Sequence, residues 1–401
     1  MIEHFQITEL PPSEHTLKTH CNISIKLTNG DTYHHFQLHL ADPLSPPPAT
    51  QNTSGTEDNS NPYTKNLTSQ LAKNVGLRSY IESASTLIFE ILIKKSDCFI
   101  GGIYWEALED WSSWPTFPSH SHTHHHSHSQ ETKNKQILVI RTTDTETDIP
   151  HHSSLAKFTA STSHGGNRNI LLFLSKLDDV DRGVDEIVKT QVDALKGEER
   201  PTVERCKMWE WDAMKLLLET RANKLGERGG VLDLVHLDAD LKITGTIEGE
   251  GEGEDARVLL EFIDKTSQLH TIDGSVLAAT LSKSPPHTVV VTSPFSATTA
   301  HGPQANLADL LIEAGVKVMV GMSGSISSAA VGLFVKEFYK QLFEGAGAER
   351  AAVGARAALR KRADGTEEWM IPVVYCCCAI DLIEGLLAEG GAANGASCKR
   401  H

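Results

Sequence analysis

Residues 305–342 read ANLADLLIEAGVKVMVGMSGSISSAAVGLFVKEFYKQL, and this stretch sets the fold class. Leu307, Leu310, Leu311 and Ala314 recur at the spacing of one helical face, which predicts a helix over 304–314. Gly315 follows and can end that helix in left-handed geometry. Val316–Val320 is a short run, apolar except for Lys317, close to the pattern of a strand buried on both faces. A second amphipathic helix runs from Ser327 to Phe343, with Val331, Phe334, Val335, Phe338 and Leu342 on one stripe. Helix, turn, strand and helix in quick succession is the rhythm of an α/β protein.

The same rhythm extends in both directions. Upstream apolar runs lie at Ile170–Leu174, Val231–Val235, Val258–Ile263 and Thr288–Val291, and a downstream run lies at Ile371–Tyr375. Together they predict a mostly parallel sheet over residues 170–375, with right-handed crossovers and helices on both faces. The chain before Asn169 reads as a smaller, β-rich region. Ile23, Ile25 and Leu27 alternate with polar residues, Asn29-Gly30 supplies a turn, and Phe36, Leu38 and Leu40 alternate on the return, which predicts a hairpin. Tyr80, Ile81, Ala84, Ile88, Ile91 and Leu92 predict a helix over Leu77–Lys94, and short strands are expected at Ile103 and Ile137. Three polar inserts, 42–62, 112–135 and 142–168, carry no hydrophobic period and are expected to lack a stable fold. The resulting division is an N-terminal hairpin and helix region over 1–168, an α/β domain over 169–390 and a flexible tail over 391–401.

Charge and composition exclude several functions. The 401 residues carry 37 Lys and Arg against 52 Asp and Glu, a net charge of −15. That balance argues against a sequence-independent nucleic-acid binder and against docking on anionic lipid. The longest apolar stretch, TLIFEILI at 86–93, contains Glu90 and falls far short of the ~20 residues of a membrane helix. Seven cysteines, three of them consecutive (Cys376, Cys377, Cys378), are no disulfide framework. Adjacent strand residues face opposite ways, so the triplet cannot converge on one metal. The chain is therefore expected in the reducing cytoplasm, with no secretory leader in Met1–Leu10, no cofactor and no metal centre. His120–His128 holds six histidines in nine residues and reads as a low-complexity insert. The acidic run Glu248–Asp255 reads as a solvated loop.

With these elements in order, most of the chain resembles the CHAT domain of the caspase–separase group of cysteine peptidases, in the form common in filamentous fungi. The stretch 305–342 is similar to the family's helix, turn, V-V-G-M strand and helix ending F-Y-x-x-L. AAVGARAALRKR from Ala351 and EEWMIPVVY from Glu367 resemble its Ala-rich helix and closing W-x-x-P-V-x-Y strand. Tyr104-Trp105-Glu106-Ala107-Leu108 is similar to its W-E-x-L element, and the hairpin ending at Asp42-Pro43 to its start. The resemblance implies a caspase-like fold and a Cys–His dyad. The family's histidine closes a strand like V-H-F-D-x-H-G, matched here by Val235-His236-Leu237-Asp238-Ala239-Asp240-Leu241, so Asp240 stands at the catalytic position. Its nucleophile sits in V-V-L-N-A-C-x-S-A, matched by Val289 to Ala297, so Pro294 stands where the cysteine would be.

Proline supplies neither a nucleophile nor a backbone N–H for an oxyanion, and a carboxylate is a weaker base than imidazole near neutrality. The resemblance therefore implies a pseudoprotease that binds a protein or peptide partner. Its expected groove is lined by His236, Asp238, Asp240, Thr292, Ser293 and Ser296. The alternative is an active cysteine endopeptidase with a relocated dyad. A serine nucleophile at Ser293 or Ser296 would still need a base. His236, Asp238 and Asp240 at i, i+2 and i+4 would share a strand face and permit a metal, but a vestigial strand with a hydrogen-bonded histidine is the preferred reading.

Overall fold

The computed structural model describes residues 2–9, 20–27, 33–39, 62–93, 103–110, 114, 136–143, 168–174, 183–195, 200–206, 211–227, 232–244, 257–263, 268–294, 296, 307–362 and 366–377. In the first part of the chain the strands are β1 (Ile2–Glu9), β2 (His20–Leu27), β3 (Tyr33–His39), β4 (Thr86–Ile93) and β5 (Gln136–Thr143). They continue with β6 (Asn169–Leu174), β7 (Thr202–Cys206), β8 (Leu234–Asp238), β9 (Asp240–Thr244), β10 (Arg257–Ile263), β11 (Leu269–Asp273), β12 (Thr288–Val291), β13 (Val318–Met322) and β14 (Pro372–Cys376). The helices are α1 (Pro62–Ala72), α2 (Val75–Ser83), α3 (Val184–Asp193) and α4 (Trp211–Glu227). They are followed by α5 (Gly274–Leu281), α6 (Leu307–Glu313), α7 (Ser328–Phe343) and α8 (Ala348–Arg360).

Eleven strands form one sheet in the order β3-β2-β1-β4-β5-β14-β13-β12-β8-β6-β7. Seven of its ten neighbouring pairs are parallel. The fold is α/β, with a mostly parallel sheet. The parallel strands fall into two blocks that run in opposite directions. Strands β1, β4, β5 and β14 run one way, and β13, β12, β8, β6 and β7 run the other. The blocks meet at the antiparallel pair β13–β14, where Met322 faces Pro372 and Val318 faces Cys376. The C-terminal ends of β13, β12 and β8 thus share an edge with the N-terminal ends of β14 and β5.

Helices cover both faces. Glu204 and Arg205 are neighbours on β7 and point to opposite sides. Arg205 pairs with Asp185 of α3, and Glu204 pairs with Arg221 of α4. Helix α7 lies against α3, and its Tyr339 ring stacks on His236 of β8. The ends of these helices follow from sequence. The Ser327 hydroxyl accepts from the Ala330 N–H at the start of α7, and Gly315 takes φ 99° just beyond α6.

Several expected strands and helices form, and others do not. The hairpin forms with Ile23 opposite Phe36 and Cys21 opposite Leu38. The runs at 170–174 and 288–291 are strands, while those at 231–235, 316–320 and 371–375 begin one to three residues later than expected. The run at 258–263 is a strand of a separate antiparallel sheet, β11-β10-β9, rather than of the main one. Val258 and Leu260 are buried there while Leu259 and Glu261 are partly exposed, the alternation of a strand packed on one face only.

The helix expected over Leu77–Lys94 is two elements. It ends as α2 at Ser83, and Thr86–Ile93 is β4, held between β1 and β5. Six of its eight residues are buried, and a run apolar at nearly every position fits a helical stripe and a two-sided strand equally. Its β-branched and aromatic content favours the strand. Ile103 belongs to a bend before a 3-10 turn at Trp105–Glu109, so no strand forms there.

The polar inserts are narrower than the sequence implies. Pro62 starts α1, where its missing N–H is harmless. Trp114 is buried, stacks on Phe89 with centroids 6.2 Å apart, and donates from Nε1 to the Leu108 carbonyl at 3.0 Å. Thr142 and Thr143 complete β5. Apart from Arg168, the remainder of these inserts, the His120–His128 tract, the acidic run and the tail 391–401 lie outside the described residues.

Two buried ion pairs anchor the turn at Trp105–Glu109, and the second joins the early and late parts of the chain. Arg141 of β5 donates to both carboxylate oxygens of Glu106, from Nε at 3.1 Å and Nη2 at 2.9 Å. Arg356 of α8 does the same to Glu109, from Nε at 2.8 Å and Nη2 at 2.5 Å. Both glutamates come from the 3-10 turn at Trp105–Glu109.

Candidate functional site

The stretches singled out in sequence end two adjacent strands. Strands β8 and β12 are parallel with Val290 beside His236 and Val291 beside Leu237. Extending that register sets Thr292 beside Asp238 at the C-terminal edge of the sheet. His236, Asp238, Thr292, Ser293 and Ser296 are all at most 5% exposed.

Their polar atoms form a directed chain. The Thr292 hydroxyl donates to Asp238 Oδ1 at 2.8 Å. With its proton committed there, Thr292 Oγ1 is an acceptor for His236 Nε2, 3.4 Å away. His236 therefore carries its proton on Nε2, which leaves Nδ1 to accept from the Tyr339 hydroxyl at 3.0 Å. Burial pushes the Tyr339 phenol well above its ordinary value, so it stays a proton donor. The imidazole and phenol rings also stack, with centroids 5.9 Å apart and planes 14° from parallel. Proton donation runs from Tyr339 through His236 and Thr292 to the Asp238 carboxylate.

The remaining predicted residues sit differently. Ser296 closes the turn after β12, donating to the Val291 carbonyl at 3.0 Å and accepting from the Met322 N–H at 2.8 Å. Ser293 Oγ is buried and has no hydrogen-bond partner among the described residues. Pro294 is half-buried in the same turn. Asp240 opens β9, separated from the end of β8 by Ala239, and pairs with Glu261 of β10. The extended run that would place His236, Asp238 and Asp240 on one face is thus broken at Ala239. Among the described residues no three His, Cys, Asp or Glu side chains gather to hold a metal ion.

Among the described residues, the thiols of Cys206 and Cys376 stand elsewhere. Cys206 ends the edge strand β7, separated from β8 by β6. Cys376 faces Val318 at the start of β13, on the sheet edge opposite Thr292 and Asp238. His287 precedes β12 at that opposite edge. Burial, then the charges of Arg168 and Lys317, lower its pKa to about 4, so it is neutral at physiological pH.

Sequence reading named His236, Asp238 and Thr292 but not Tyr339. In sequence Tyr339 is one more aromatic on a helix, and nothing local distinguishes a hydrogen-bond donor from a packing ring.

A scan against protein-family models finds no match, and a search of curated proteins finds none. Among solved structures the chain is similar to the Arg specific cysteine proteinase gingipain R, at 9% sequence identity and a TM-score of 0.32. That match covers 78% of this chain and 66% of the other, so it spans just under two thirds of gingipain R.

Proposed function

We propose that this protein is a CHAT-like pseudoprotease, a caspase-like fold without its own peptidase chemistry that serves binding, scaffolding or regulation in the cytoplasm. Its partner is a protein or peptide rather than nucleic acid or membrane. The observation that carries this reading is the commitment of His236. Both ring nitrogens are engaged by Tyr339 and Thr292 inside the core. An imidazole so placed cannot turn to take a proton from a nucleophile at the surface. By resemblance the catalytic histidine and cysteine positions fall on Asp240 and Pro294, and neither residue can act as part of a thiolate–imidazole unit. Removing such a unit leaves at most the residual effect of binding and charge stabilisation. Five of the six residues expected to line a groove are instead packed together or closing a turn, which favours a filled site over an open cleft.

The test combines a thiol-directed peptidyl warhead with a broad peptide library. No stoichiometric labelling and no cleavage are expected. Labelling of one cysteine, with turnover lost when that cysteine is changed to Ala, would establish a relocated dyad and overturn the proposal.

A further inference from the structure

The smaller sheet runs β11-β10-β9, so among the described residues β11 has a strand neighbour on one side only. Its first three residues, Leu269, His270 and Thr271, are all exposed. Successive strand residues face opposite ways, so three exposed in a row leave both faces of this edge open to solvent. Leu269 is 58% exposed, and Val276, in the first turn of α5 just beyond the strand, is 44% exposed. They are two of the three large apolar side chains left exposed among the described residues.

Proteins commonly guard an edge strand with charge, proline or a bulge. Strand β7, at one edge of the main sheet, carries Glu204 and Arg205, each ion-paired to a helix. Leu269–Ile272 holds no acidic residue, lysine, arginine or proline. Asp273 ends the strand, and its carboxylate accepts from the Ser275 N–H at 2.8 Å as the cap of α5. Register defines what an added strand would meet. Thr271 lies opposite Glu261, and Asp273 opposite Leu259. Residues paired in this way point to one face, so Leu269, Thr271, Asp273 and Glu261 share a face of the sheet. The cations of that face, Lys242 on β9 and Arg257 at the start of β10, form no ion pair with Glu261 or Asp273. Two carboxylates thus flank Thr271, with an exposed leucine beside them.

We propose that β11 is a docking edge for an extended peptide of a protein partner, added antiparallel, with a basic residue opposite Thr271 and an apolar residue opposite Leu269. The basic side chain then has Asp273 on the diagonal and Glu261 one strand further in, while the apolar one covers Leu269. Ladder hydrogen bonds from the main chain supply the rest of the affinity. A second copy of this chain is a poorer occupant, because a net charge of −15 on each makes the copies repel. The inference rests on the binding role proposed above and names one partner for it, but it uses no residue of the strand ends at Asp238 and Thr292.

The probe is a fluorescein-labelled heptapeptide of threonine and valine, with one lysine followed two positions later by a leucine, read by fluorescence anisotropy on the full chain. Saturable binding is expected. Leu269→Ser should weaken it about tenfold through lost apolar contact. Glu261→Gln should weaken it about fivefold, the upper range for a solvent-accessible ion pair. N-methylation of alternate peptide amides should abolish binding in one phase and spare it in the other, because only one set of amides faces β11. Equal binding by the two N-methylated peptides, or unchanged affinity in both variants with native circular dichroism, would overturn the proposal. A dimer in sedimentation that dissociates on Leu269→Ser and excludes the peptide would assign the edge to a second copy and overturn it as well. Mass spectrometry of the recovered peptide keeps the two readings apart: a cut peptide would count against the missing dyad and leave the binding result as it stands.

Discussion

Arg356 Nη2 lies 2.5 Å from Glu109 Oε1 in the gap where β5 and β14 part. Those strands pair only at Tyr375 with Arg141 and Cys376 with Thr142, so their earlier backbone groups have no strand partner between them. The ion pair fills that fork. Glu109 Oε1 accepts from the Val139 N–H at 3.0 Å, and Arg356 donates to the carbonyls of Pro372 at 2.9 Å and Val139 at 3.3 Å. Two side chains thereby do what a strand ladder would do, at the seam between the early and late parts of the chain.

Breaking one half of this pair should therefore destabilise the whole sheet. Arg356→Met leaves a buried carboxylate and two carbonyls unserved, and a loss of about 3–5 kcal/mol is expected. Glu109→Gln should lose a similar amount, because it strands the guanidinium. The double variant should lose less than the sum, since neither charge is then left alone. Chemical denaturation measures all three. A loss under ~1 kcal/mol for Arg356→Met would mean that water replaces the pair at no penalty, as at an exposed bridge.

The chain from Tyr339 to Asp238 makes a directional claim about protons. The neutral His236 ring should carry its proton on Nε2, which nitrogen-15 NMR of the imidazole reads directly. Tyr339→Phe removes the donor to Nδ1 and should cost ~1–3 kcal/mol. Thr292→Val should cost more, because it deprives both Asp238 and His236 of one hydroxyl. A proton found on Nδ1 would reverse the chain and make Tyr339 an acceptor.

His287 gives the fold a pH dependence with a defined sign. Its pKa falls from 6.5 to about 4 in the folded chain, through burial and then the nearby Arg168 and Lys317. The unfolded chain therefore takes up the proton first as pH drops. The stability contributed by the neutral ring is present above pH 6.5 and is lost between 6.5 and about 4. At ~1.4 kcal/mol per unit the loss is bounded at about 3 kcal/mol, reduced by the solvent reaching the outer edge of the ring. His287→Asn should lose less stability than the parent between neutral and mildly acidic pH. Parallel pH profiles for the two would show that the folded ring titrates at its ordinary value.

The sequence carried these features unevenly, for physical reasons. Strands buried on both faces, such as Thr288–Val291, announce themselves as unbroken apolar runs. The helix beginning after Ser327 announces itself through its apolar stripe. Thr86–Ile93 misleads because saturation with apolar residues erases the difference between periods of 2 and 3.6. In the candidate site, His236, Asp238 and Thr292 could be named, but their contact arises from a parallel register across 54 residues. Tyr339 is 103 residues from His236, and Arg356 is 247 from Glu109. No local pattern encodes such pairings, because each partner's surroundings are built by the fold.

Gly315 is a position where sequence and structure give the same reason for one residue type. It was expected to end a helix in left-handed geometry, and it does so at φ 99°. An L side chain there pays the steric penalty of that region, about 1–2 kcal/mol. A Cβ would also stand 3.1 Å from Cγ of Pro285, so the ring must shift as well. Gly345 supplies the control, with the same φ of 99° and nothing within 4 Å of an added Cβ. Gly345→Ala should therefore lose only the backbone term, and Gly315→Ala should lose measurably more. Both are read as shifts in denaturation midpoint at unchanged slope. Equal losses would mean that Pro285 yields freely, and no loss at either glycine would contradict the left-handed backbone at both helix ends.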